Sequence, residues 1–234
     1  MASSTTARSA FLAGTRDGSP FLIVIVPFAG LFGAVATDAG LSVAQTMGFS
    51  VLVIAGASQF TAIQLMTEGA PLLLVVAAAL AVNLRMMMYS AALVPHLGAA
   101  SFNRRAALSY LLVDQTYALV AVRYERRPDE PVAVKLAYFV GCAVPVFPLW
   151  YLFTWVGAVA GGSLFEAWPI GFAVPITFIA LFAPSLKTRA HIAAAGVSGL
   201  GAILLRDLPS GTGLLIAAAA AMATGAALER EDAA

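Results

Sequence analysis

Residues 56–97 decide the fold, because they carry polar and charged side chains inside a stretch that is otherwise apolar. They open with GASQF at 56–60, pass through a turn at 66–71 and a charge-free run at 72–84, and close with NLRMMMY at 83–89 and PHL at 95–97. The run that begins at Leu72 suits a helix that crosses hydrocarbon, which takes about 20 apolar residues. Arg85 follows about 20 Å of this apolar helix, at 1.5 Å per residue. A charge at that depth costs at least ~2.5–3.5 kcal/mol on insertion scales, so we expect it to have a specific partner or use.

The composition of the whole chain is that of a membrane protein. Of its 234 residues, 61% are hydrophobic and 11% are charged, and the mean hydropathy is +0.90. A soluble domain carries about a quarter of charged residues, so this chain could not cover a water-facing surface. We predict an all-α, polytopic helical bundle, since a barrel would show alternating strands of about 10 residues. One cysteine and two histidines argue against a zinc site of the usual ligands, and we predict no metal, no cofactor and no nucleic-acid partner.

The apolar segments define the organisation of the chain. They are eight in number: 20–37, 45–66, 71–97, 107–122, 132–160, 168–186, 190–206 and 210–228. Segment 107–122 is short and holds Asp114, and segment 132–160 is interrupted by Pro145 and Pro148. Seven and eight crossings therefore both fit. We expect a flexible cytoplasmic tail at 1–19, a transmembrane domain at 20–228 and a short polar tail at 229–234.

Lys and Arg residues in short loops predict the orientation. They form three groups: Arg8 and Arg16; Arg123, Arg126, Arg127 and Lys135; and Lys187 and Arg189. With eight crossings, all three groups lie on the side of the amino terminus, which we assign to the cytoplasm. Arg104 and Arg105 then lie on the opposite side, so either segment 107–122 does not fully cross or this loop departs from the rule.

Two further patterns are typical of transporters. Helix breaks are expected at Pro27, Gly56, Pro145 and Pro175, and the break at Gly56 is followed by the polar residues Ser58 and Gln59. The sequence GAVA at 33–36 recurs at 157–160, which predicts an internal repeat. Gly and Pro are also simply more frequent in membrane helices, where small residues allow close packing.

Helical spacing places the candidate site residues. In segment 71–97, Arg85, Tyr89 and His96 share a helix face, and Asn83 lies on roughly the opposite one. Asp114 would share a face with Tyr110 and Tyr117 if segment 107–122 is one helix. Since Arg85 and Asp114 are the most deeply placed opposite charges, we predict that they form an ion pair. An arginine that snorkels to the end of the span, or a purely structural pair, is the alternative.

The chain resembles the AzlC family, the large subunits of branched-chain amino-acid exporters first associated with azaleucine resistance. The resemblance covers about residues 20–228 and rests on Pro27-x-x-Gly30-x-x-Gly33, GASQF at 56–60, NLR at 83–85 with Tyr89, PHL at 95–97, Phe172-Ala173 and FIAL at 178–181. It implies a transporter of the bacterial cytoplasmic membrane that exports leucine, isoleucine, valine and sometimes methionine together with a small hydrophobic AzlD-like partner subunit. The family positions that it marks as candidates are Gly56, Ser58, Gln59, Asn83, Arg85, Tyr89 and Pro95.

Three departures from the family pattern each remove an ionisable group. Met86 stands where the family often has His, Gln115 where it often has Glu, and Gly171 where it often has Asp. If any of those groups binds substrate or carries protons in the family, this chain works differently or prefers another substrate.

Three functional hypotheses remain from the sequence. The first is a secondary transporter that exports branched-chain or related amino acids, and is not an enzyme. The second is an intramembrane enzyme, because Ser58 after Gly56-Ala57 is similar to the nucleophile motif of membrane serine proteases and His96 offers a base. The third is a non-transporting assembly subunit.

Overall fold

The computed structural model describes residues 6–161, 186–206, 208 and 212–232, and every regular element among them is helical. The predicted all-α class is therefore confirmed. The chain divides into two units, residues 1–59 with 81–166 and residues 60–80 with 167–234. The helices are α1 Ala7–Gly18, α2 Leu22–Asp38, α3 Val43–Leu52, α4 Gly56–Thr67, α5 Leu72–Leu97, α6 Phe102–Tyr110, α7 Asp114–Arg126, α8 Val132–Ala143, α9 Val146–Ala160, α10 Arg189–Leu204 and α11 Thr212–Asp232.

Four described stretches are long and apolar enough to cross a membrane. They are Ala7–Asp38, Leu72–Leu97, Val132–Ala160 and Thr212–Glu229. The predicted segment 168–186 lies almost entirely outside the described residues, and so does Pro175. Seven or eight crossings therefore stay a prediction.

The amino-terminal segment is helical, which corrects the expected flexible tail. The helix α1 begins after Thr6, whose hydroxyl accepts the N–H of Ser9 at 3.2 Å, while the Ser9 hydroxyl accepts the N–H of Thr6 at 3.1 Å. This capping box satisfies two otherwise unpaired donors. A one-turn 3-10 helix at Ser19–Phe21 then joins α1 to α2. The helix α2 continues through Pro27, so the break predicted there is not present and lies instead at Ser19–Phe21.

Glycines allow α1 and α2 to pack closely on α8 and α9. A Cβ atom on Gly14 would meet the backbone of Tyr138, and one on Gly141 would meet the backbone of Phe11. A Cβ on Gly18 would likewise meet the backbone of Cys142. The contacts therefore move from Tyr138 to Cys142 along α8 as they move from Gly14 to Gly18 along α1. The helix α1 therefore runs parallel to α8, and the two are held by the small-residue contacts that pack membrane helices.

The same arrangement recurs between α2 and α9, where it supports the predicted repeat. A Cβ on Gly33 would meet the backbone of Thr154, and a Cβ on Gly157 would meet the backbone of Gly30. Each glycine of the GAVA repeat thus touches the residue three positions before the other glycine. This reciprocity is that of an approximate two-fold axis along the helices, as in transporters built from parallel repeats.

The segment predicted at 45–66 is two helices. The helix α3 ends at Leu52 and α4 begins at Gly56, so the break is at 53–55 rather than at Gly56–Gln59. Gly56 is needed for packing, since a Cβ there would meet the rings of Phe28 and Trp150. After α4, Gly69 adopts a positive φ of 71°, and the N–H of Ala70 donates to Leu65 O at 2.9 Å. This helix-ending motif confirms the predicted turn at 66–71.

The helices α6 and α7 form a hairpin that enters the bundle and returns. Three contacts join α5 to α7: Arg85 with Asp114, Tyr89 with Tyr117, and His96 with Tyr124. Residues farther along α5 contact residues farther along α7, so α7 runs parallel to α5. Asp114 nevertheless lies beside Arg85, about 18 Å back along the helix from the end of α5 at 1.5 Å per residue. The intervening α6 must therefore run back along α5, and we call the pair the α6–α7 hairpin.

The hairpin bears on the position of the basic residues. Segment 107–122 is not one helix, because α6 ends at Tyr110 and α7 begins at Asp114. The expected shared face of Tyr110, Asp114 and Tyr117 is therefore wrong for Tyr110. Arg104 lies at the start of the hairpin and Arg126 at its end, so both lie at the end of α5 that carries Leu97.

Prolines separate α8 from α9 as expected at Pro145. Pro148 lies in the first turn of α9, where a missing N–H costs no intrahelical hydrogen bond. In the second unit, α10 and α11 pack antiparallel, with Gly201 against Ala217 and Gly213 against Leu205. At the other end of this helix pair, His191 Nε2 lies 3.6 Å from Glu229 Oε1.

Candidate functional site

The predicted ion pair of Arg85 and Asp114 is present halfway along α5. Arg85 Nη2 lies 3.0 Å from Asp114 Oδ2, and the two side chains are 32% and 30% exposed. The Tyr89 hydroxyl donates to Asp114 Oδ1 at 3.1 Å. Asp114 is also the first residue of α7, where the helix dipole favours a negative charge. The carboxylate is thus held by three separate sources of positive potential.

Arg85 keeps hydrogen-bonding capacity that the pair does not use. Its Nε is buried and has no hydrogen-bond partner among the described residues. A guanidinium presents donors in a rigid fork that matches a carboxylate in a bidentate way. With Asp114 in this position, the Nε–H donor of Arg85 has no acceptor among the described residues.

Tyrosine stacking fixes the tip of the hairpin against α5. The rings of Tyr89 and Tyr117 are stacked with centroids 4.0 Å apart and planes 9° from parallel. Such pairs add about 0.5–1.5 kcal/mol beyond their area burial. Because Tyr89 also donates to Asp114, the stack orients the hydroxyl that holds the carboxylate.

On the other side of α5, Asn83 contacts the first turn of α4. Its Nδ2 donates to Ser58 Oγ at 3.2 Å. The neighbouring Gln59 donates through Nε2 to Ser50 Oγ at 3.1 Å, and Ser50 lies 3.5 Å from the hydroxyl of Thr154. Ser50, Ser58, Gln59 and Thr154 are fully buried. The side chains therefore form two short polar chains inside the unit that contains residues 1–59 and 81–166.

These polar chains contain acceptors that lack partners. Gln59 Oε1 and Asn83 Oδ1 are buried and have no hydrogen-bond partner among the residues that the structure describes. A buried polar atom left unpaired costs about 1–3 kcal/mol. Such groups in a native protein call for an explanation.

The two helix breaks are joined by Tyr110. Its hydroxyl donates to the carbonyl of Val51 at 2.8 Å and lies 2.6 Å from the hydroxyl of Tyr151. Val51 belongs to the last turn of α3, where carbonyls lose their intrahelical partners. Tyr110 is the last residue of α6 and lies just before the break at 111–113. Its hydroxyl thus satisfies a carbonyl of α3 that the break at 53–55 leaves without an intrahelical partner. The amino-terminal ends of α4 and α7 are both placed beside the middle of α5 by this arrangement.

The structure separates the sequence-predicted residues into two groups. Arg85, Tyr89 and Asp114 come together, and Ser58, Gln59 and Asn83 lie near one another in the two polar chains on the other side of α5. Gly56 packs against the rings of Phe28 and Trp150. Pro95 lies in the last turns of α5, away from both groups.

Ser50 and Thr154 were missed from the sequence, and Tyr110 was expected on the face of Asp114 rather than beside the break between α3 and α4. The only signal was that Ser50 and Thr154 are polar residues inside apolar segments, and Thr154 lies three residues before the repeated Gly157.

The described geometry does not assemble a catalytic pair or a metal site. Ser58 contacts Asn83, and His96 lies about 20 Å farther along α5 at 1.5 Å per residue. A serine nucleophile needs its base within hydrogen-bond reach. Among the described residues, no group of three His, Cys, Asp or Glu side chains could hold a metal ion.

A polar site built at the ends of interrupted helices, within a bundle of apolar helices, defines a membrane protein of the transporter type. The model of the AzlC family, described as AzlC protein, matches residues 20–164, and the chain belongs to this family. That match contains every residue of the site described above.

Three relatives share most of their length with the chain. The inner membrane protein YgaZ of Escherichia coli is 27% identical over 210 residues, which is 85% of this chain and 83% of that protein. An uncharacterized membrane protein of Archaeoglobus fulgidus is 28% identical over 208 residues, 83% of each chain. One of Helicobacter pylori is 28% identical over 182 residues, 76% of this chain and 78% of that protein. No solved structure matches the chain.

Proposed function

We propose that this chain is the transport subunit of a secondary exporter for branched-chain or related amino acids, leucine, isoleucine, valine and methionine. It would act in the bacterial cytoplasmic membrane with a small hydrophobic partner subunit and without a cofactor. The substrate class rests on the family motifs at 56–60 and 83–85. The relatives support a membrane protein of this type, and their names do not state a substrate.

One observation carries the proposal: a guanidinium and a carboxylate pair in the middle of α5, with Arg85 Nε left unpaired among the described residues. An amino acid is a zwitterion, so its passage through a bundle needs both signs of charge. Without substrate, Arg85 and Asp114 neutralise each other. When substrate binds, its carboxylate takes the guanidinium and its ammonium takes Asp114. The four charges then alternate, and none is buried without a partner.

The amino-terminal end of α4 adds to this site. The first N–H groups of a helix have no partner inside the helix and favour an anion. Half-helix ends aimed at a substrate near the midplane are typical of transporters. Gln59 and Asn83 lie on the other side of α5 from Asp114, so their unpaired carbonyl oxygens would meet the substrate ammonium at a separate point of the pathway.

The α6–α7 hairpin supports the proposed orientation. Because Arg104 and Arg126 lie at the same end of α5, and α1 begins at the end where α8 begins, most basic residues of this unit lie near one end. By the positive-inside rule, that end and the amino terminus would face the cytoplasm.

The test is amino-acid retention in a deletion strain fed with dipeptides. The strain should accumulate leucine, isoleucine, valine or methionine, and the wild-type gene should restore export. Arg85→Gln and Asp114→Asn should each fail to restore it, whereas Arg126→Gln, which removes an exposed arginine at the end of α7, should restore it fully. An unchanged amino-acid profile in the deletion strain would contradict the proposal.

A reconstitution experiment separates transport from assembly. Purified chain in liposomes, with and without its partner subunit, should release loaded leucine only when Arg85 and Asp114 are intact. If the partner alone supports the full rate, this chain is an assembly subunit.

A further inference from the structure

A cavity of about 460 Å³ lies between the last turns of α5 and the hairpin helix α6. Its α5 wall includes Leu93, Val94 and Leu97, and its α6 wall includes Phe102, Arg105 and Ala106. The α6 residues are spaced i, i+3 and i+4, so they occupy one helix face. The volume is in the range of about 300–1,000 Å³ that is usual for small-molecule sites. The cavity is apolar inside and basic on one side.

The charge of this cavity is not balanced by any residue that the structure describes. Arg104 and Arg105 are exposed on α6, and neither forms an ion pair with a described residue. The described lining contains no carboxylate. A free amino acid would therefore find no partner here for its ammonium, and the Arg85–Asp114 site differs from the cavity in this respect.

The cavity also lies at the right depth for a lipid headgroup. The helix α6 begins at the level where α5 ends, so Arg105, in its first turn, lies near the membrane boundary. The apolar walls formed by Leu93 and Leu97 lead from there toward the middle of α5. Basic pockets between membrane helices are typical binding sites for anionic phospholipid headgroups.

We propose that this cavity binds an anionic phospholipid, with the phosphate on Arg105 and one acyl chain between α5 and α6. Because Arg105 has no carboxylate beside it in the described lining, the cavity favours a lipid of net negative charge over a zwitterionic one, whose ammonium would have no partner. The bound lipid would line the hairpin that carries Asp114. This inference goes beyond the transport function and does not depend on it.

Native mass spectrometry of the full chain, released from detergent, tests the proposal. The probes are phosphatidylglycerol, phosphatidylethanolamine and inorganic phosphate. We expect one phosphatidylglycerol to be retained by each wild-type chain, with far less phosphatidylethanolamine and no competition by phosphate. Equal retention of the two lipids, or full displacement by phosphate, would overturn the proposal, the latter by showing a simple anion site.

Three variants locate the lipid. Arg105→Gln should weaken retention about tenfold, which is about the size of one charge-assisted hydrogen bond. Arg104→Gln is the matched control, because it removes the same charge one residue away and outside the lining, and it should lower retention much less than Arg105→Gln does. Ala106→Trp keeps both arginines and fills the cavity, so it should lower retention as much as Arg105→Gln. Equal losses in the two arginine variants, or no loss in Ala106→Trp, would show surface attraction in place of a cavity site.

Discussion

The Arg85–Asp114 pair serves both stability and transport in this account, and a double-mutant cycle separates the two. At 3.0 Å and an effective dielectric constant of about 20, the attraction is about 5–6 kcal/mol before solvent screening. Each side chain is about a third exposed, so we expect removal of one partner to lower the free energy of unfolding by only about 1–2 kcal/mol. Removal of both should cost less than the two single losses together.

Transport should behave differently from stability in this cycle. Arg85→Gln combined with Asp114→Asn leaves no uncompensated charge, so part of the stability returns, but the zwitterion loses both of its partners. Export should therefore remain absent in the double variant. Exchange of the two residues keeps both charges in the site and should recover part of the export.

The assay is SDS titration of the purified protein in mixed micelles for stability, with leucine efflux from liposomes for transport. The control is Arg123 with Glu130, an ion pair of 2.8 Å at the end of the hairpin with side chains 13% and 10% exposed. Its double removal should also recover stability, but should leave efflux intact. Additive stability losses at Arg85 and Asp114, or wild-type efflux in their double variant, would refute the reasoning.

Three further predictions test the fold around the site. Cysteines placed at Arg104 and at Arg126 should react with a membrane-impermeant thiol reagent from the same side, and reaction from opposite sides would exclude the α6–α7 hairpin. Gly157→Leu should abolish folded protein on gel filtration, because its side chain would enter the backbone of Gly30, whereas Gly196→Leu, in open space, should not. Tyr110→Phe removes the hydrogen bond to Val51 and should lower the free energy of unfolding by about 1 kcal/mol, and no change on SDS titration would show that the two breaks are not joined there.

Uninterrupted apolar runs made part of the fold predictable from sequence. The helix α5 could be assigned because nothing interrupts residues 72–84. The break at 111–113 could not, because Leu111, Leu112 and Val113 are apolar residues without a glycine or proline. Tertiary contacts to α5 hold that break, and a single sequence does not show them. The helix α1 was not predicted because its polar composition resembles that of a flexible tail. Its stability comes from packing on α8, which the sequence does not show.

The candidate site was predictable only in its charges. Arg85 and Asp114 could be paired because charges inside apolar segments need partners. Ser50 and Thr154 gave no comparable signal, since a hydroxyl in a membrane helix commonly bonds to its own backbone. The hydrogen bonds that join Gln59 to Ser50 and Ser50 to Thr154 depend on the close approach of α2, α3 and α9, which the glycines Gly33 and Gly157 permit.

The central claim is that Arg85 and Asp114 bind the two charges of one amino acid. Competition against radiolabelled leucine on the purified protein tests it most directly, with two analogues that each lack one charge. Leucinamide has no carboxylate, and 4-methylpentanoate has no ammonium. We expect unlabelled leucine to displace the label and both analogues to fail, with no leucine binding in Arg85→Gln. Displacement by either analogue as effective as that by leucine would contradict the account.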